Sequence, residues 1–220
     1  MSARCSSVQG VEFPDEDGVL GHCFRFRPIW WTPRVPSGWA SYLNELPALD
    51  RGYHRITRTD LLNADGLPQA LLAGYVWGTG SSAFLVGRPA RVFRDNDAAR
   101  IADCLQTVVE ELRKGNTVEA YGSMLRGKPN NLKHLGPSFF TKFLYAADAA
   151  CAHPGRALIL DQFVAVALKD IDGWDISRTG PWEPNTYEDW LAHAHRIASE
   201  EGVRPDAVEM AYFNHGRGIG

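Results

Sequence analysis

The chain has little cysteine. Its four residues, Cys5, Cys23, Cys104 and Cys151, are scattered, and none forms a CxxC pair. That spacing speaks against a disulfide framework or a cysteine-based zinc site, and for a reducing compartment. Long hydrophobic runs are also missing. A membrane helix needs roughly 18 or more apolar residues in a row, and no stretch of the chain supplies them. The opening MSARCSSVQGVEFPDEDG has no apolar core and turns acidic by Asp15, unlike a signal peptide. A cytoplasmic location without membrane contact is the expectation. Neither GxSxG nor HExxH occurs, and Gly78-Thr79-Gly80 is too short for a phosphate loop. His193 and His195 lie two apart on a helical stretch and face different sides, so they do not begin a metal set. No metal and no cofactor is expected.

Neither sign of charge is in excess. Net charge is −3, which by itself points away from nucleic acid. The distribution points back. Residues 21–94 carry nine Arg against four Asp/Glu, and residues 113–142 carry six Lys/Arg against Glu119 alone. Residues 170–209 carry ten acids against three Arg. Such polarity can steer a polyanion, or it can decorate solvated faces. An apolar fraction of 45% supplies a core, and 22% charged residues argue against global disorder. At 220 residues the chain is one large domain or two tightly joined lobes.

Residues 1–59 read as an irregular Arg- and aromatic-rich segment packed on the body, beginning with a tail over 1–20. Three prolines within residues 28–36 exclude a regular helix there. Phe24, Phe26, Trp30 and Trp31 suit packing, while their alternation with arginine also suits stacking on nucleic acid. Residues 60–220 read as a helical domain. Thr59 or Asp60 caps LLNADGLPQALLAGYVWG, which Gly66 to Pro68 interrupts. The clearest helix spans 95–115. Asp95 or Asp97 caps it, Ile101, Cys104, Leu105, Val108, Val109 and Leu112 repeat at helical spacing, and Gly115 closes it. A short helix over 117–126 precedes the loop Gly127 to Asn130. A hairpin at 131–142 opens a long apolar helix that ends at His153-Pro154-Gly155. ALIL then forms a short strand or extended lead-in to a helix from Asp161. Thr186 with Asp189 resembles a capping box, and a last helix from Arg204-Pro205-Asp206 ends at Gly216. The fold class is mainly α, with few or no strands.

Chemistry concentrates in LKHLGPSFFTKFLY, residues 132–145. A short helix, a turn at Gly136 and Pro137, then a helix whose first amides point outward make an anion-binding end. Glycine permits the turn and a close backbone approach. Downstream, Ala157 to Leu160 delivers Asp161 at a helix start, as a cap or as a catalytic carboxylate. On these residues the chain resembles the helix–hairpin–helix DNA glycosylase superfamily, most closely its 8-oxoguanine DNA glycosylase branch. The resemblance is loose over 60–216 and more specific over 131–168 and 205–216. It implies an essential aspartate at Asp161 and an amine nucleophile. Counting back 19 residues from Asp161 places that amine on Lys142. Aligning the turn glycine places the position on Ser138 instead, and relatives without lysine there use water. The two registers differ by one helical turn, and a helical side chain leans toward the N-terminus, so Lys142 points back toward Ser138. The resemblance further implies that Gly136, Pro137, Lys133 and His134 hold a DNA phosphate, with His134 standing where the hairpin's first glycine usually is. It implies that Glu209 reads the edge of a flipped base while Phe213, four residues on, stacks on it, with Trp77 also in the pocket.

The implied function is a monomeric DNA N-glycosylase. It would flip and excise an oxidised or otherwise modified purine such as 8-oxoguanine from duplex DNA, with AP-lyase activity if Lys142 acts. Two other readings stand beside it. One is a non-catalytic nucleic-acid or nucleotide-binding protein of the same fold, for example in a bacterial defence operon. The other is an N-glycosylase acting on RNA or a modified nucleoside.

Overall fold

A computed structural model describes residues 11–81, 86–151 and 157–219. The expected turn at His153-Pro154-Gly155, the first half of the N-terminal tail and Cys5 lie outside the described residues. In chain order the elements are α1 (Glu16–Gly21), β1 (Cys23–Phe26), β2 (His54–Thr57), α2 (Arg58–Leu62), α3 (Leu67–Thr79), α4 (Arg91–Arg94), α5 (Ala98–Arg113), α6 (Thr117–Met124), α7 (Pro137–Ala149), α8 (Gln162–Asp172), α9 (Pro184–Glu201) and α10 (Pro205–Ile219). The fold is mainly α, with one two-stranded antiparallel sheet, β1 against β2.

The N-terminal segment is more regular than its prolines suggest. Asp15 caps α1, accepting from the Gly18 amide. β1 and β2 then bracket a run of short 3-10 turns that absorb Pro28 and Pro33. Phe26, Trp31, Leu43 and Ile56 are buried in the same core cluster as the helices, so this segment and the helical body share one core.

Side-chain caps start four of the described helices, sometimes at other residues than expected. Thr57 caps α2, and Asp60 is the reciprocal partner in a capping box. Asp97 caps α5 through the Ala99 and Arg100 amides, and all six apolar positions of that helix are buried. α9 begins at Pro184, two residues before Thr186. Proline suits a first helical turn because it lacks the N–H that would be unsatisfied there.

Two corrections concern glycines. Leu132 to Leu135 form a turn rather than a helix, so the hairpin's first arm is α6 and its connection is long. Within it Gly136 has an ordinary extended φ of −99° and caps α7. The left-handed conformation falls on His134, at φ 68°. Gly216 does not end the last helix. It lies inside α10, where a Cβ would sit 1.9 Å from the Phe163 carbonyl oxygen. Glycine there permits the contact of α10 with the first turn of α8, rather than a helix stop.

Candidate active site

Lys142 and Asp161 meet. The Lys142 Nζ lies 3.0 Å from Asp161 Oδ2 and donates to the Ser138 carbonyl at 2.8 Å. Both residues are buried, at 3% and 6% exposure. The amine of Lys142 thus reaches one turn back to the residue that the other register favours. Asp161 has a double role. Its Oδ1 accepts from the Phe163 and Val164 amides and caps α8, while Oδ2 takes the lysine. The cap fixes the carboxylate, and the fixed carboxylate orients the amine.

The meeting depends on Thr141. Its Oγ1 accepts from the Leu160 amide at 3.2 Å, and its one proton faces the Pro137 carbonyl at 2.7 Å and the Leu160 carbonyl at 3.2 Å. This clamp joins the neighbours of Lys142 and Asp161 and sets the register of α7 against the extended lead-in. Residues 157–160 are fully buried without a strand partner among the described residues, so side chains must satisfy their backbone groups. Asp148 accepts from the Ala157 amide, Tyr187 donates to Leu158 and Trp190 to Ile159.

The pair opens on a pocket of about 710 Å³, within the range of small-molecule sites. Phe24, Trp77, Phe139, Phe163 and Phe213 form aromatic walls, with Ser138, Gln162 and Arg217 as polar lining. Trp77 is held by its indole N–H, which donates to the His22 carbonyl at 3.0 Å. Phe24 meets Trp77 edge-on at 5.6 Å, and Phe163 meets Phe213 at 5.4 Å.

Two glycines on α3 make room for the lysine. A Cβ at Gly78 would lie 2.9 Å from Lys142 Cε and 3.0 Å from Cδ, and one at Gly74 would lie 3.3 Å from Lys142 Cβ. At i and i+4 these glycines share one face and form the groove in which the lysine stem lies. Their spacing in GYVWG was the readable signal for this groove.

Glu209 does not line the pocket, contrary to the role implied for it. It is 1% exposed and pairs with Arg58 at 2.5 Å, and Arg58 itself is fully buried. Burial pushes the Glu209 carboxyl above its ordinary range, and Arg58 pulls it back. The guanidinium stands 5.2 Å from the Trp77 ring, so the pair supports the pocket wall from behind. A buried arginine needs a full counter-charge, and α10 supplies it on the face that also carries Phe213. His22 was not anticipated. It touches Phe24, Trp77 and Phe213. Burial first, then Arg58, Arg217 and Lys142, lower its pKa to about 4.

The turn before α7 is pinned from outside. Asn96 exchanges two hydrogen bonds of 3.0 Å with the Lys133 backbone. His134 Nε2 lies 2.9 Å from Asp95, and the Tyr75 hydroxyl donates to the His134 carbonyl at 3.4 Å. Lys133 and His134 are exposed, while Gly136 and Pro137 open α7. Among the described residues no group of three His, Cys, Asp or Glu could hold a metal ion, and no helix is long and apolar enough to cross a membrane.

Fold and site define a mainly helical protein in which a buried amine–carboxylate pair faces an aromatic pocket. The chain belongs to the family described as "Putative 8-oxoguanine DNA glycosylase OGG-like protein", whose profile matches residues 17–213. That span includes β1, the α3 groove, the α7 lysine and Phe213. No curated protein and no solved structure matches the chain.

Proposed function

We propose that the protein is a DNA N-glycosylase that extrudes a modified purine into the aromatic pocket and attacks its sugar with Lys142. The observation that carries this reading is the 3.0 Å contact of Lys142 with Asp161 in the pocket lining. The aromatic walls offset the stacking that an extruded base loses. Asp161 Oδ2 takes a proton from the Lys142 Nζ, and the freed amine attacks C1′ as the C1′–N bond breaks. The base departs with the bonding electrons and takes up that proton from Asp161. The carboxylate so regenerated stabilises the positive charge left on the sugar and the new C1′–Nζ bond. Opening of the sugar ring then leaves a protonated imine between C1′ and Nζ, from which strand cleavage proceeds. The exposed turn at Lys133 and His134, with the Ser138 amide at the start of α7, holds a backbone phosphate without reading sequence.

The test incubates the protein with duplexes carrying 8-oxoguanine, uracil or an alkylated base, with and without borohydride. Release of a purine and a trapped adduct that Lys142→Gln abolishes are expected. No release from any duplex overturns the enzyme reading. Release without an adduct overturns the role of Lys142 and leaves water, activated by Asp161, as the nucleophile.

A further inference from the structure

The pocket uses only one face of the β-hairpin. Phe24 and Phe26 of β1 point into the body, whereas Arg25 and Arg55 are exposed on the other face. In the register of the sheet Arg25 lies directly opposite Arg55. Like charges placed so destabilise an antiparallel pair. Arg27 adds a third. Its guanidinium lies 4.5 Å from the centre of the Tyr53 ring, and that of Arg25 lies 4.9 Å from it. The Arg27 Nε is buried without a hydrogen-bond partner. Among the described residues no carboxylate pairs with Arg25, Arg27 or Arg55. The nearby Asp50 lies beside Arg51 instead, at 3.7 Å. Two guanidiniums therefore stand over one tyrosine and a third arginine lies opposite across the sheet, with no counter-charge, an arrangement that costs stability and that a bound anion relieves.

We propose that this arginine cluster is a second nucleic-acid contact, gripping the phosphodiester backbone beside the nucleotide that enters the pocket. The choice of ligand rests on the glycosylase reading. The cluster itself rests on the register and the two ring contacts. β1 links the two surfaces, because Phe24 lines the pocket and Arg25 and Arg27 follow it directly. The planar fork of arginine suits phosphate oxygens. Several arginines side by side match a run of phosphates better than a single free anion.

Fluorescence anisotropy with an undamaged duplex oligonucleotide over a salt series tests this without using base release. Each phosphate contact contributes about 0.9 to the log–log salt slope. Replacing Arg25, Arg27 and Arg55 together by Gln is expected to flatten the slope by about 2.7. Affinity then falls about 40-fold less than in the wild type as salt rises from ~50 to ~200 mM. The same three positions changed to Lys keep the slope. Because Gln removes the facing like charges, the Arg25→Gln and Arg55→Gln variants should melt no lower than the wild type, which separates lost contact from lost folding. A triple variant with the wild-type slope overturns the proposal and leaves the glycosylase reading intact. Displacement of the duplex by inorganic phosphate at matched ionic strength also overturns it, in favour of a free-phosphate site. A flattened slope in a protein that releases no base sustains the surface and sinks the enzyme reading alone.

Discussion

Gly78→Ala separates stability from chemistry in one atom. The new Cβ would stand 2.9 Å from Lys142 Cε, 3.0 Å from Cδ and 3.2 Å from a ring carbon of Phe139. Carbon atoms prefer about 3.5–4.0 Å, so the lysine end must move by roughly 0.5–1 Å. Moving the lysine is cheap, because Cδ and Cε belong to a flexible chain rather than to backbone, while the Phe139 ring need give only a few tenths of an ångström. In return α3 gains a better helix former, worth up to about 1 kcal/mol. The melting temperature should therefore stay level or rise. The reaction should suffer, because a misplacement of about 1 Å costs on the order of 100-fold in rate. Single-turnover base release and the yield of borohydride-trapped adduct read this directly. Wild-type rate and wild-type trapping in Gly78→Ala would refute the claim that the α3 groove positions the amine. A large fall in melting temperature would refute the claim that mainly the lysine tip yields.

Gly216→Ala should behave in the opposite way. Its Cβ meets the Phe163 carbonyl at 1.9 Å, and backbone cannot step aside. A loss of about 3 kcal/mol, near the top of the usual overpacking range, is expected. At this chain length that is about 6–12 °C in a thermal melt, and a shift within 1–2 °C counts against the close approach of α8 and α10. Glu209→Gln should leave the identity of the released base unchanged, since the side chain lies behind the pocket. It should cost about 3 kcal/mol by leaving Arg58 short of its counter-charge, and a changed base preference would return Glu209 to the pocket. His22 governs a pH dependence. Its pKa falls from 6.5 to about 4 on folding, so between those values the unfolded chain binds more protons and stability rises with pH. A shift of that size corresponds to about 3 kcal/mol, which solvent screening at this partly exposed ring reduces to about 1–2 kcal/mol. Denaturant midpoints of His22→Gln should be flatter than those of the wild type across pH 4 to 6.5, and parallel curves would contradict the assignment.

The sequence by itself determined what depends on neighbours along the chain. The six buried positions of α5 repeat every three to four residues, and Asp97 sits where a cap belongs. Lys142 leans back toward Ser138 because a helix dictates that direction, and the contact at 2.8 Å follows. The spacing of 19 between Lys142 and Asp161 was visible as a resemblance. Its cause was not, because the Thr141–Leu160 clamp exists only once α7 and the lead-in lie side by side.

Tertiary structure decided the rest. Standing four residues before Phe213 placed Glu209 on the same helix face, but its partner Arg58 stands 151 residues away in sequence and draws it behind the wall. Nothing local to the proline-rich segment signals that Phe24 pairs across to Ile56, more than 30 residues on, and lines the pocket. His134 shows the same limit. A left-handed turn was legible as a glycine requirement, yet here a histidine meets it, anchored by Asp95 and Tyr75 from other elements. Local periodicity is encoded by residues a turn apart. Which charge is buried against which, and which glycine faces which backbone, is settled only when separate elements compete for the same space.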